Sequence, residues 1–116
     1  MTDSSALQVD NCTSDDFDRT LRTVLKSVTA THRKLLYHHF LASKQAASTK
    51  ELSEAMGWKG DSASMHYGGF AALLEPFISR PDGSDKLYLI GRYDQSQNRW
   101  VLRQEFIEAS QRVGLL

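Results

Sequence analysis

The chain has 116 residues, with 14 Lys and Arg balanced by 14 Asp and Glu, for a formal net charge of zero. That length fits one domain around one modest core, and the charge balance argues against a protein that coats nucleic acid regardless of sequence. No apolar run approaches the roughly 18–20 residues that a membrane span needs, and no hydrophobic leader follows Met1, so a soluble cytoplasmic protein without a membrane partner is expected.

Residues 1–14 are polar and aperiodic and read as a disordered N-terminal tail, with a single folded domain over 15–116. The only cysteine, Cys12, falls in that tail, where it has no disulfide partner and reads as a bystander. Thr13 or Ser14 can cap a first helix over roughly 15–28, with Asp15 and Asp16 suiting its dipole and Phe17, Leu21, Val24 and Val28 at helical spacing. Thr29 caps a second helix over roughly 30–44, and Gln45–Ala47 is a short link. Ser48 and Glu51 then form a capping box for a third helix over roughly 49–56, which Gly57 stops. Asp61 or Ser62 caps a fourth helix over roughly 61–75, ended or kinked at Pro76. Met65, Phe70, Leu73, Leu74 and Phe77 supply its apolar side.

Arg80–Asp85 is a loop. Lys86–Tyr93 is rich in β-formers and reads as a strand. Asp94–Asn98 is its turn and Arg99–Arg103 the returning strand. Leu87, Leu89, Tyr93, Trp100 and Leu102 are the expected inward residues of this hairpin, which must lean on the helices because an isolated one is marginal in water. A last helix over roughly 104–113 ends at Gly114. The fold class that follows is α+β, mostly α: a winged helix-turn-helix with a two-stranded antiparallel hairpin and a C-terminal helix.

In such a unit the second helix of the turn enters the DNA major groove, led by its N-terminal residues. Ser62, Ser64, His66 and Tyr67 can hydrogen-bond there, and Lys59 can pair a phosphate. No Arg or Asn stands among them, so readout by shape or of an unusual base is expected. Arg92, Arg99 and Arg103 lie on the hairpin, where they can reach phosphates, and Trp58 at the turn is either a core lid or a stacking surface. Residues 29–60 and 80–103 are each net basic while residues 1–28 hold five acids against three bases, so one face can be positive on a neutral chain. Gly68-Gly69 costs a helix roughly 1–2 kcal/mol relative to alanine, which a close approach by another helix or a DNA backbone would offset.

The four histidines and Cys12 show no metal-ligand spacing, and no phosphate loop, nucleophile elbow or paired carboxylates appear. No metal, no cofactor and no catalysis are expected.

The run Ser48-Thr-Lys-Glu-Leu-Ser-Glu-Ala-Met-Gly-Trp-Lys-Gly60, followed by Ser64-Met-His-Tyr-Gly-Gly-Phe-Ala-Ala-Leu-Leu74, resembles the winged-helix accessory module of HNH-type, modification-dependent restriction endonucleases. Thr49, Glu51, Leu52, Gly57, Tyr67, Gly68, Trp100, Leu102 and Arg103 match its pattern. Trp58 replaces a tyrosine, Ser64 stands in place of an asparagine, and Gly69 is atypical. The resemblance implies a non-catalytic reader of double-stranded DNA, modified or distorted, in a bacterial restriction or phage setting, beside a protein partner such as a nuclease. The His-Asn-His nuclease constellation is not recognisable in this chain. Two other functions suit the same fold: a protein–protein adaptor and a small transcriptional regulator.

Overall fold

The first three helices each start on a reciprocal cap. Thr13 Oγ1 accepts the Asp16 amide at 3.2 Å, and the Asp16 carboxylate accepts the Thr13 amide at 2.9 Å. Ser48 and Glu51 pair in the same way. Thr29 does so with His32, whose Nδ1 stands where a glutamate oxygen usually would. These caps open α1 (Ser14–Val24), α2 (Ala30–Leu41) and α3 (Thr49–Ala55) of the computed structural model, which describes residues 7–116. Two more helices follow, α4 (Ser62–Ala72) and α5 (Gln104–Arg112).

Among the described residues, five short strands complete an α+β fold that is mostly helical. β1 (Leu7–Gln8) pairs in parallel with β3 (Ile78–Ser79). β2 (Ala46–Ala47), β4 (Gly91–Asp94) and β5 (Arg99–Leu102) form an antiparallel sheet in the order β2-β5-β4. Within it Ala47 faces Trp100 and Tyr93 faces Trp100 on the other side. The hairpin therefore has a third strand where the sequence suggests only a link between helices. Two alanines carry little β-propensity of their own; the pairing comes from β5.

The tail expected over 1–14 is structured from residue 7 onward, and residues 1–6 lie outside the described residues. Leu7–Gln8 adds its strand, and Val9 and Cys12 are buried in the core. Burial pushes the Cys12 thiol up to about 11, so it is an inert core group. Asp10 reaches the far end of the chain, as described below.

The strand expected over Lys86–Tyr93 divides. Lys86–Leu89 is a 3-10 turn opened by Asp85, whose carboxylate accepts the Leu87 amide at 2.9 Å, and only Gly91–Asp94 is extended. Leu87, Leu89 and Ile90 are all buried, a spacing that an alternating strand cannot provide. Leu102 is buried as expected and Trp100 is half-buried, but Tyr93 is 41% exposed. α4 ends at Ala72, before Pro76, and Met65 and Phe77 are 70% and 38% exposed rather than inward.

The core is aromatic at its centre. Phe17 of α1 meets Phe106 of α5 edge-on at 5.6 Å, and Phe106 meets Phe70 of α4 at 6.0 Å. His39 of α2 is wholly buried beside them. Its Nε2 lies 2.8 Å from the Trp100 carbonyl and its Nδ1 lies 2.8 Å from the Tyr67 hydroxyl. A carbonyl only accepts, so Nε2 carries the proton and Nδ1 accepts from Tyr67. One imidazole thus ties α2, α4 and β5 together.

Candidate nucleic-acid interface

The α3–α4 turn is organised by Ser53. Its carbonyl accepts the Trp58 amide at 2.8 Å, while Gly57, at φ +77°, donates to Glu54, which together close α3 in a Schellman turn. The buried Ser53 hydroxyl accepts the Ala63 amide at 2.8 Å and so caps the start of α4. Asp61 occupies the N-cap position but its side chain caps nothing, contrary to the sequence expectation, and Ser62 instead bonds back to the Lys59 carbonyl. One serine in the preceding helix takes over the cap and leaves the Asp61 carboxylate exposed.

Lys59, Ser62, Ser64 and His66 are all exposed, on the turn and the first two turns of α4. The Ser64 hydroxyl bonds to the Asp61 carbonyl at 2.8 Å. Trp58 is half-buried and leans on the core. Its ring also tilts against His66 at 4.8 Å between centroids, so it closes the turn and still shows an edge to solvent.

Two expected contact residues are not on this surface. Tyr67 is fully buried because its hydroxyl serves His39. The Arg103 side chain is 1% exposed. Its guanidinium donates twice to the Tyr88 carbonyl, at 3.0 and 2.7 Å, stacks over the Tyr88 ring at 4.7 Å, and donates to Asp10 at 3.0 Å. Partial burial of Asp10 opposes its ionisation, but the bonds from Arg103 and Tyr88 prevail and hold the carboxyl below its usual range. Nothing local in the sequence marks this pair, since its members lie at opposite ends of the chain.

Of the other hairpin cations, Arg92 is exposed and Arg99 half-buried, and both are engaged. Arg92 is 3.7 Å from Asp10. Arg99 grips both oxygens of Glu51, at 2.9 and 2.7 Å. The Glu51 carboxyl is lowered to about 2 by Arg99 and by the Ser48 amide that it caps. Glu51 therefore locks the hairpin to the start of α3.

Two clefts lie near α4. One, of about 330 Å³, lies between the start of α3 and the hairpin, with Asp61 at the head of α4 beside it, and is lined by Ser48, Thr49, Lys50, Asp61, Tyr93, Asn98 and Trp100. The other, of about 540 Å³, is walled by Ser64, Met65 and the Gly68-Gly69 pair on one side and by Arg80 and Lys86 on the other. The glycines are not a helix-packing notch. A Cβ at Gly68 would meet nothing within 4 Å, and one at Gly69 would only touch His32 at 3.8 Å. The first cleft escapes sequence reading because its lining comes from segments far apart in the chain. Among the described residues, no group of three or more His, Cys, Asp or Glu side chains gathers as a metal site would require, and no helix is long and apolar enough to cross a membrane. No protein-family model, no curated protein and no solved structure matches the chain.

Proposed function

We propose that this chain is a winged-helix domain that binds double-stranded DNA without catalysing a reaction. α4 would lie in the groove and the β4–β5 hairpin beside it. The observation that carries this reading is the face of α4. Its first two turns present Ser62, Ser64 and His66 to solvent, Lys59 is exposed on the turn before it, and exposed Lys86 faces it across the cleft that Arg80, paired with Glu75, and Asp85 also line. Hydroxyls and an imidazole beside cations suit a groove floor next to phosphates. The order helix, strand, helix, helix, hairpin, with Ala46–Ala47 paired to β5, supports the winged topology. The restriction-module resemblance extends the proposal to modified or distorted DNA and to a nuclease partner.

Binding to plain and modified duplexes at two salt concentrations tests this. Each neutralised phosphate releases counterion, so affinity must fall steeply with salt. Lys59→Ala and Arg92→Ala should each weaken binding and flatten the salt slope by about one. Arg99→Ala should do less, because Glu51 already holds that cation. Failure to bind any duplex at low salt would favour the second reading, a protein-interaction adaptor. Met65, 70% exposed beside an open glycine pair, is the observation that favours it.

A further inference from the structure

We propose that the cleft between the start of α3, Asp61 and the hairpin is a binding site for one unstacked nucleobase, guanine ahead of the others. The proposal rests on the DNA-binding reading and specifies what part of the nucleic acid this face takes in. At about 330 Å³ the cleft is at the lower end of the roughly 300–1,000 Å³ of small-ligand sites, a size for one ring system and not for a stacked pair.

Its wall is aromatic. Tyr93 and Trp100 are cross-strand partners with ring centroids 5.1 Å apart at 62°. Tyr93 is 41% exposed, a large ring on a hairpin that the protein leaves partly uncovered. Such a ring offers a face for stacking, the usual way that proteins hold a base outside a helix. Asp61, exposed, also lines the cleft. It occupies an N-cap position and yet caps nothing, because Ser53 has taken the α4 amide. Asn98, exposed and at φ +57° in the turn of the hairpin, also lines the cleft. Lys50 stands at the edge, where a phosphate attached to the base would lie.

The donors and acceptors select the ligand. An ionised carboxylate only accepts, and its two oxygens match two adjacent N–H groups. The Watson–Crick edge of guanine presents that pair, N1–H beside the 2-amino group. Adenine and cytosine each present an acceptor next to their amino group, which would face a carboxylate oxygen. In a duplex this edge of guanine is already paired, so the base must be single-stranded, bulged or extruded to enter.

The test follows the two indole N–H signals of the wild-type chain by NMR during titration with guanosine, adenosine and cytidine monophosphates. The expected result is a shift of the Trp100 signal with guanosine monophosphate, at an affinity at least fivefold above the others. Tyr93→Ala and Asp61→Asn should each weaken it by roughly tenfold, and Asp61→Asn should leave the melting temperature unchanged. A second arm compares a matched duplex with one carrying a single bulged guanine, which should bind more tightly. Monophosphate binding without binding to either duplex upholds the base site and removes the DNA-binding reading. Equal affinity for the two duplexes with no response to any monophosphate overturns the base site and leaves that reading standing. A Trp100 shift with tetramethylammonium but not with nucleotides would mark a cation cage and overturn the proposal.

Discussion

His39 and Tyr67 form a buried pair in which the tyrosine donates to Nδ1 at 2.8 Å while Nε2 donates to the Trp100 carbonyl. Both side chains are wholly excluded from solvent, and the imidazole has a defined tautomer because a carbonyl sits on one side of it. Burial lowers the His39 pKa from its usual 6.5 to about 4, against a smaller opposing effect from the Trp100 carbonyl.

This sets an acid limit on the fold. The unfolded chain takes up the His39 proton near pH 6.5 and the native chain only near pH 4. Between these values the unfolded state binds more protons, so stability falls as the pH drops through the window and is fully present above it. The loss should total about 3 kcal/mol, from 1.36 kcal/mol per pKa unit. Denaturant melts at pH 7 and pH 4.5 check it, and His39→Gln should flatten the difference. Tyr67→Phe should cost about 1–3 kcal/mol by leaving Nδ1 without a donor.

Ser53 and Asp61 make a second contrast. Ser53→Ala removes the buried acceptor of the Ala63 amide and should cost about 1–2 kcal/mol. Asp61→Ala should change stability by less than about 0.5 kcal/mol, since its carboxylate caps nothing. Equal losses in thermal melts would mean that Asp61 caps α4 in solution.

The glycines separate in the same way. Gly68→Ala places a methyl in open space and should stabilise the helix by up to roughly 1 kcal/mol. Gly91→Ala places a Cβ 2.9 Å from the Val101 carbonyl and should loosen the hairpin. If Gly68→Ala melts higher but binds DNA more weakly, the partner approaches α4 at that turn.

Asp10 and Arg103 should behave as a clamp of unequal halves. Arg103→Ala strips a buried cation from two carbonyl bonds and a ring, and should destabilise by about 3 kcal/mol. Asp10→Asn leaves those contacts intact and should cost roughly 1 kcal/mol. The Asp10 carboxyl is held below its usual range, so its contribution is present above the unfolded pKa and is lost as pH falls toward the native one. Chemical denaturation of both variants at pH 7 ranks them.

Local signals in the sequence located the helices because caps are local. Thr13 with Asp16, Ser48 with Glu51 and the Gly57 stop are all written within a few residues. The rest depends on partners that are distant in the chain. Ala46–Ala47 becomes a strand only because β5 arrives beside it, and Lys86–Leu89 gives up its β-formers to a 3-10 turn, which lets Leu87, Leu89 and Ile90 all face inward. Arg103 reads as a wing cation until Asp10, 93 positions away, is found against it. The same holds for the candidate site: Ser62, Ser64 and His66 were legible as a polar helix face, whereas the freed Asp61 carboxylate needed the discovery that Ser53 does its work.

The packing of α1 against α5 has a consequence for how the chain is made. Phe17 finds Phe106, Asp15 finds Arg112, and Ser14 bonds to Glu108, 94 residues onward. While a ribosome extends the chain, α1 emerges early with its apolar stripe uncovered and waits until residue 112 has left the tunnel. At roughly 5–20 residues per second that interval lasts several seconds. During it the amphipathic first helix is a target for chaperones or for another nascent copy, and so distant a contact adds loop-closure entropy, which slows folding.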